Sequence, residues 1–156
     1  MRIAEFKFDR LRDIAWSAER ARLLGSLAGL PQKRRTNFGK AVKEIVDYAV
    51  AHERRGTIQF GIQTQGGKKV EAIIRYEQDD KTTESERQLD GDSIRALIGE
   101  LEIVSSERVV QIRLAEPLPN EAPRIPHEVA SDWATALATR NRTDALSLIL
   151  RKQSGE

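Results

Sequence analysis

The stretch Phe38-Gly39-Lys40-Ala41-Val42-Lys43-Glu44-Ile45-Val46-Asp47-Tyr48-Ala49-Val50-Ala51-His52, with Thr57-Ile58-Gln59-Phe60-Gly61-Ile62 just after it, decides the fold. Phe38, Ala41, Val42, Ile45, Val46, Ala49 and Val50 recur at i, i+3 and i+4, the stripe of a helix that buries one side. Pro31 suits the opening of that helix and Gly56 its close, so the spacing predicts a helix from about Gln32 to His52. From Thr57 the period drops to two, and polar residues alternate with apolar ones as in a half-buried strand. A long amphipathic helix therefore feeds a sheet.

Upstream, Leu11, Ile14, Ala15, Ala18, Ala21, Leu24, Leu27 and Ala28 predict another helix that ends at Gly29, and Ile3 to Phe8 a strand before it. Downstream, Val70 to Tyr76 is a second strand, joined to the first through Gly66-Gly67. Residues 77–92 carry seven acids, two bases and one large aliphatic side chain, which cannot bury a face, so a loop is expected. A short helix follows at Ser93 to Glu100, then strands at Glu102 to Ser106 and Arg108 to Leu114. Two more helices are expected at about 127–140 and 143–152. The order implies an α/β two-layer sandwich, with helices on one face of a mixed, mainly antiparallel sheet. Residues 1–116 form the domain, 117–126 a Pro-containing linker and 127–156 a C-terminal helical extension.

Length and composition agree with one domain plus an accessory element: 156 residues, of which AVILMFWYC make up 39%. The absence of cysteine removes disulfides and thiolate metal sites. No apolar run approaches the length of a membrane span and the N-terminus reads Met1-Arg2-Ile3-Ala4-Glu5, so a cytoplasmic protein without a signal peptide is expected. His52 and His127 stand 75 positions apart, which gives no metal-ligand spacing. The net charge of +2 divides into +7 over residues 1–78 and −5 over 79–156. Basic residues such as Lys33-Arg34-Arg35, Arg54-Arg55 and Lys68-Lys69 lie scattered with few aromatics between them, which argues against a nucleic-acid face.

The element order and certain residues resemble the GHKL or Bergerat-fold ATPases, most closely the anti-sigma-factor serine kinases and the ATPase domains of histidine kinases. In that family the long helix carries an N box of the form Glu-x-x-x-Asn-Ala-x-x-His. Residues 44–52 match it at Glu44, Ala49 and His52 and depart at Tyr48. Ala18 to Leu24 and Leu27-Ala28-Gly29-Leu30 look like the family's first helix and its exit. Ile94-Arg95-Ala96-Leu97-Ile98-Gly99-Glu100-Leu101-Glu102-Ile103 is similar to the family's Val-Arg-Arg-Leu-x-Asp-x-Phe-x-Ile segment. The likeness spans about residues 3–115.

The resemblance implies a nucleotide site in which Glu44 holds the general-base position and Tyr48, His52 and Glu77 hold cofactor-binding positions, all vestigial. The family's Asn offers a carbonyl oxygen to magnesium, a hard ion, whereas Tyr48 offers only a phenol and a bulky ring. The family's Asp-x-Gly-x-Gly turn reads Glu77-Gln78-Asp79-Asp80-Lys81 here, and no glycine follows until Gly91. Read without the resemblance, Glu44 is a flanking acid paired with Lys40, Tyr48 packs over the sheet, and His52 sits at a helix end where a cation suits the dipole. His127-Glu128 is like a phosphoacceptor box but lacks the Arg and Pro that follow in the family.

The expected function is a degenerate GHKL regulatory and protein-interaction module of a bacterial-type signalling protein, the N-terminal domain of a histidine-kinase-like protein. The alternative is an active anti-sigma-type serine protein kinase that binds ATP and magnesium; under the first reading no cofactor is expected. Trp133, Leu137, Leu146, Ile149 and Leu150 offer more apolar surface than two short helices bury, which predicts a homodimer through the C-terminal helices. The ending Arg151-Lys152-Gln153-Ser154-Gly155-Glu156 reads as the start of a longer signalling helix.

Overall fold

Asp13 shows how the first helix begins. In a computed structural model, which describes residues 2–64, 67–78, 91–106, 108–119 and 127–138, its carboxylate accepts the backbone amides of Asp9 and Arg10 at 3.0 and 3.1 Å. This ties the end of strand β1 (Arg2–Phe8) to the first turn of helix α1 (Leu11–Ala28). Ile14, Ala18, Ala21, Leu24 and Ala28 are buried, as their spacing requires. Gly29 closes α1 in the left-handed region at φ 95°, where a side chain would be strained, and the Leu30 amide reaches back to the Gly25 carbonyl at 2.8 Å. Pro31 then opens helix α2 (Gln32–Ala51), whose stripe from Phe38 to Ala49 is fully buried. The two helices pack on each other along their length.

Strands β2 (Gly56–Gln63) and β3 (Lys69–Glu77) follow, then a five-residue helix α3 (Gly91–Arg95), strands β4 (Glu100–Ser105) and β5 (Val109–Pro117), and helix α4 (His127–Ala138). The sheet order is β1-β2-β3-β5-β4, and every pairing is antiparallel. The α/β sandwich expected from the sequence is present, but the sheet is not mixed. The chain returns from β3 to a parallel β4, and the β4–β5 hairpin then folds β5 into the place between them. α3 also ends five residues short of the expected Glu100, because the chain has already entered β4 there.

Pairing in register produces continuous apolar rows. Phe6, Ile58, Ile74, Ile112 and Ile103 stand opposite one another across all five strands, and Ala4, Phe60, Ala72, Leu114 and Leu101 form the row beside them. These rows face α1 and α2, and most of their members have no exposed surface. The opposite face is polar. On it Arg113 bonds Glu71 at 3.0 Å and Glu100 at 3.4 Å, donates to Gln63, and stands beside a Lys69–Glu100 pair of 2.6 Å.

The C-terminal segment departs from expectation. Helix α4 packs against β1 and α1, with Ala136 and Leu137 buried in the core. Arg20, itself buried, lies over the Trp16 ring at 5.4 Å and donates to the carbonyls of Ala136 and Leu137 at 3.5 and 3.4 Å. Residues 127–138 are thus part of the domain rather than an extension beside it. Leu137, expected at a dimer interface, has instead spent its apolar surface within the chain. Trp133 is half-buried against the same core, while Leu146, Ile149, Leu150 and the helix expected at 143–152 lie outside the described residues. So does most of the acidic loop, residues 79–90.

Candidate functional site

The 3.6-residue turn places Glu44, Tyr48 and His52 along one side of α2, next to its buried stripe. Their surroundings differ. Glu44 is exposed and borders a groove of about 490 Å³ between α2 and α3, lined by Lys40, Lys43, Glu44, Asp47, Ser93, Ala96 and Leu97. The Ser93 hydroxyl donates to Glu44 Oε2 at 3.3 Å. The pairing of Glu44 with Lys40 expected from their spacing does not form, since no ion pair joins them within 4.0 Å.

One turn on, the Tyr48 ring is half-buried and lies against His52, with centroids 4.3 Å apart and planes at 36°. The Tyr76 ring centroid is 6.4 Å from that of Tyr48, with the planes at 54°. His52 caps the helix: its backbone amide and its Nδ1 both donate to the Tyr48 carbonyl, at 3.2 and 2.7 Å. The ring bond adds a second donor to that carbonyl and holds the imidazole against the last turn of the helix. Tyr76 comes from β3 and points into the helix layer. Burial first, and then the neighbouring Tyr48, push its phenol up to about 12, with Arg54 pulling the other way. It therefore stays neutral, as a group packed among apolar atoms must.

Glu77 does not join this cluster. It follows Tyr76 in β3, so strand alternation turns it to the exposed polar face, and its amide donates to the Arg55 carbonyl at 3.4 Å. The structure thus assembles Tyr48, His52 and Tyr76 at the end of α2, sets Glu44 in a separate groove two turns from His52, and leaves Glu77 outside both. Of the groove's lining, the sequence pointed only to Glu44 and Lys40. Ser93, Ala96 and Leu97 come from α3 and the turn after it, and nothing in a local pattern links them to α2 across some fifty residues.

Basic residues at the far end of the sheet are largely neutralised. Arg34 of α2 donates through Nε to Glu116 Oε1 at 2.8 Å, while Glu116 Oε2 accepts the Gly99 amide at 2.7 Å. Lys69 is held by Glu100, and that hydrogen bond keeps the Glu100 carboxyl below the usual carboxylate range. Among the described residues no three His, Cys, Asp or Glu side chains converge as a metal site would require. No helix among them is long and apolar enough to cross a membrane. Compared with known proteins, the chain matches no family model and no curated protein.

Proposed function

We propose that the chain is a regulatory, protein-binding module of GHKL type whose nucleotide site has been lost, and that it works in the cytoplasm as part of a signalling protein. The observation that carries this reading is the Tyr48 ring, which packs with the rings of His52 and Tyr76 at the position where the resembled family keeps a magnesium-binding Asn. The side chains there do not suit ATP and magnesium. A half-buried phenol is a poor ligand for a hard cation, and the sequence after β3 has no glycine before Gly91 to let a backbone approach phosphate. With those contacts gone, what remains is a scaffold that presents surfaces to other proteins.

The alternative, an active serine kinase of the anti-sigma type, draws support from the groove itself. Glu44 is exposed beside Lys40, Lys43 and Asp47, so two carboxylates and two cations border one open cavity.

Isothermal titration of the chain with ATP and magnesium separates the two readings. The expected outcome is no saturable heat. Micromolar affinity is worth about 8 kcal/mol, and each lost hydrogen bond to a charged group removes about 1.5–3 kcal/mol. Tyr48→Asn is expected to remain inactive, because it restores one ligand and no cradle. A dissociation constant in the low micromolar range that Glu44→Ala abolishes would overturn the degenerate reading in favour of the kinase.

A further inference from the structure

Strand β4 ends the sheet, and its outer side has no strand partner among the described residues. In the β4–β5 hairpin the Ser106 amide donates to the Val109 carbonyl at 2.9 Å. Main-chain groups alternate in an antiparallel ladder, so Glu102 and Val104 also aim theirs at β5, and Leu101, Ile103 and Ser105 aim theirs outward. Exposed edges of this kind are templates for a further strand, and proteins usually guard them. The other edge is guarded: β1 slips register between Arg2 and Ala4 and is packed against α4. β4 instead exposes apolar side chains on both faces, Ile103 at 39% and Val104 at 54%. Only Leu11 among the described residues is a further exposed large apolar side chain.

We propose that β4 pairs with β4 of a second copy, antiparallel about a two-fold axis through Ile103, to give one continuous ten-stranded sheet. A two-fold normal to the sheet keeps each face on its own side, so only registers that pair residues of like parity are possible. Centring on Glu102 sets two carboxylates directly opposite and is disfavoured. Centring on Ile103 pairs Leu101 with the partner's Ser105, Ile103 with itself and Ser105 with the partner's Leu101, which engages every outward main-chain group of β4. On the helix face the row Phe6, Ile58, Ile74, Ile112, Ile103 stops at an exposed isoleucine in one copy. In the pair it runs on without a break into the same row of the second copy. On the polar face Glu102 faces the partner's Val104, so no like charges stand directly opposite. Because α4 and the slipped register block β1, the assembly closes at two copies. One strand pair falls below the roughly 1,200 Å² of stable interfaces, so the association is weak and depends on concentration.

The register makes the test specific. Sedimentation equilibrium of the full chain over rising concentration is expected to show a monomer–dimer equilibrium. Val104→Glu places two carboxylates opposite each other twice across the axis and is expected to weaken it about tenfold. Val104→Lys instead makes two opposite-charge pairs with Glu102 and is expected to leave it intact or tighten it. Ile103→Pro removes an amide that serves only the partner, so it is expected to abolish the dimer while the urea unfolding curve stays cooperative. The chain has no cysteine, so single ones report cleanly. Opposed residues with Cα atoms about 5.5 Å apart can form a disulfide, and Ile103→Cys is expected to cross-link under mild oxidation. Val104→Cys, two residues out of step with its copy, is expected to lag. A chain that stays monomeric up to about 1 mM, a dimer indifferent to both Val104→Glu and Ile103→Pro, or cross-linking as fast at 104 as at 103 would each overturn the proposal.

Discussion

Tyr76 shows how a single residue couples the helix layer to the sheet. Burial, and then the neighbouring Tyr48, push its phenol from an ordinary 10.0 up to about 12, against the opposite pull of Arg54. The sign of the effect follows from linkage. Below the ordinary value both the folded and the unfolded chain hold the proton, and the contribution is constant. As pH rises from 10 towards 12 the unfolded chain loses its proton first, so stability falls through that window. Tyr76→Phe removes the titrating group and is expected to flatten the alkaline decline, measured by urea unfolding at a series of pH values. A decline as steep in the variant as in the parent would remove Tyr76 as its source.

At the scale of elements, Glu116 ties three pieces together. It stands near the end of β5, is 7% exposed, and accepts from Arg34 at the start of α2 and from the Gly99 amide just before β4. A buried carboxylate is stable only because each oxygen is engaged. Glu116→Ala leaves the Gly99 amide without its acceptor and frees Arg34, and is expected to cost about 2–3 kcal/mol in urea unfolding. Glu116→Gln keeps the shape but loses the charge, so it is expected to cost less than the alanine. These partners are 17 and 82 residues apart in sequence, and no periodicity couples them. The helices and strands themselves were legible, because burial of α2 or β3 demands only that apolar residues repeat at the element's own period. Even the ending of α1 at Gly29 could be read, since a left-handed residue closes a helix most cheaply when it has no side chain.

For the whole molecule, α4 shows that the domain extends beyond residue 116 to include residues 127–138. Leu137 has no exposed surface and belongs to the same core as Leu24 and Phe60. Leu137→Ala is expected to destabilise the entire domain by about 2–5 kcal/mol in a single cooperative transition. A separate helical extension would leave the main unfolding transition unmoved. Sequence alone determined the α/β composition, the two long helices with their buried faces, and the strands at β2 and β3, because period and punctuation are local properties of the chain. It also singled out Tyr48 and His52, whose i, i+4 spacing is enough to bring their rings together. Only the tertiary structure decided that the sheet is antiparallel throughout, that Glu44 meets Ser93 rather than Lys40, that Leu137 faces inward, and that β4 is left as the open edge. Each of these depends on which distant segments compete for one surface. A local pattern shows that a residue will be buried or exposed, but the partner is chosen when the layers close.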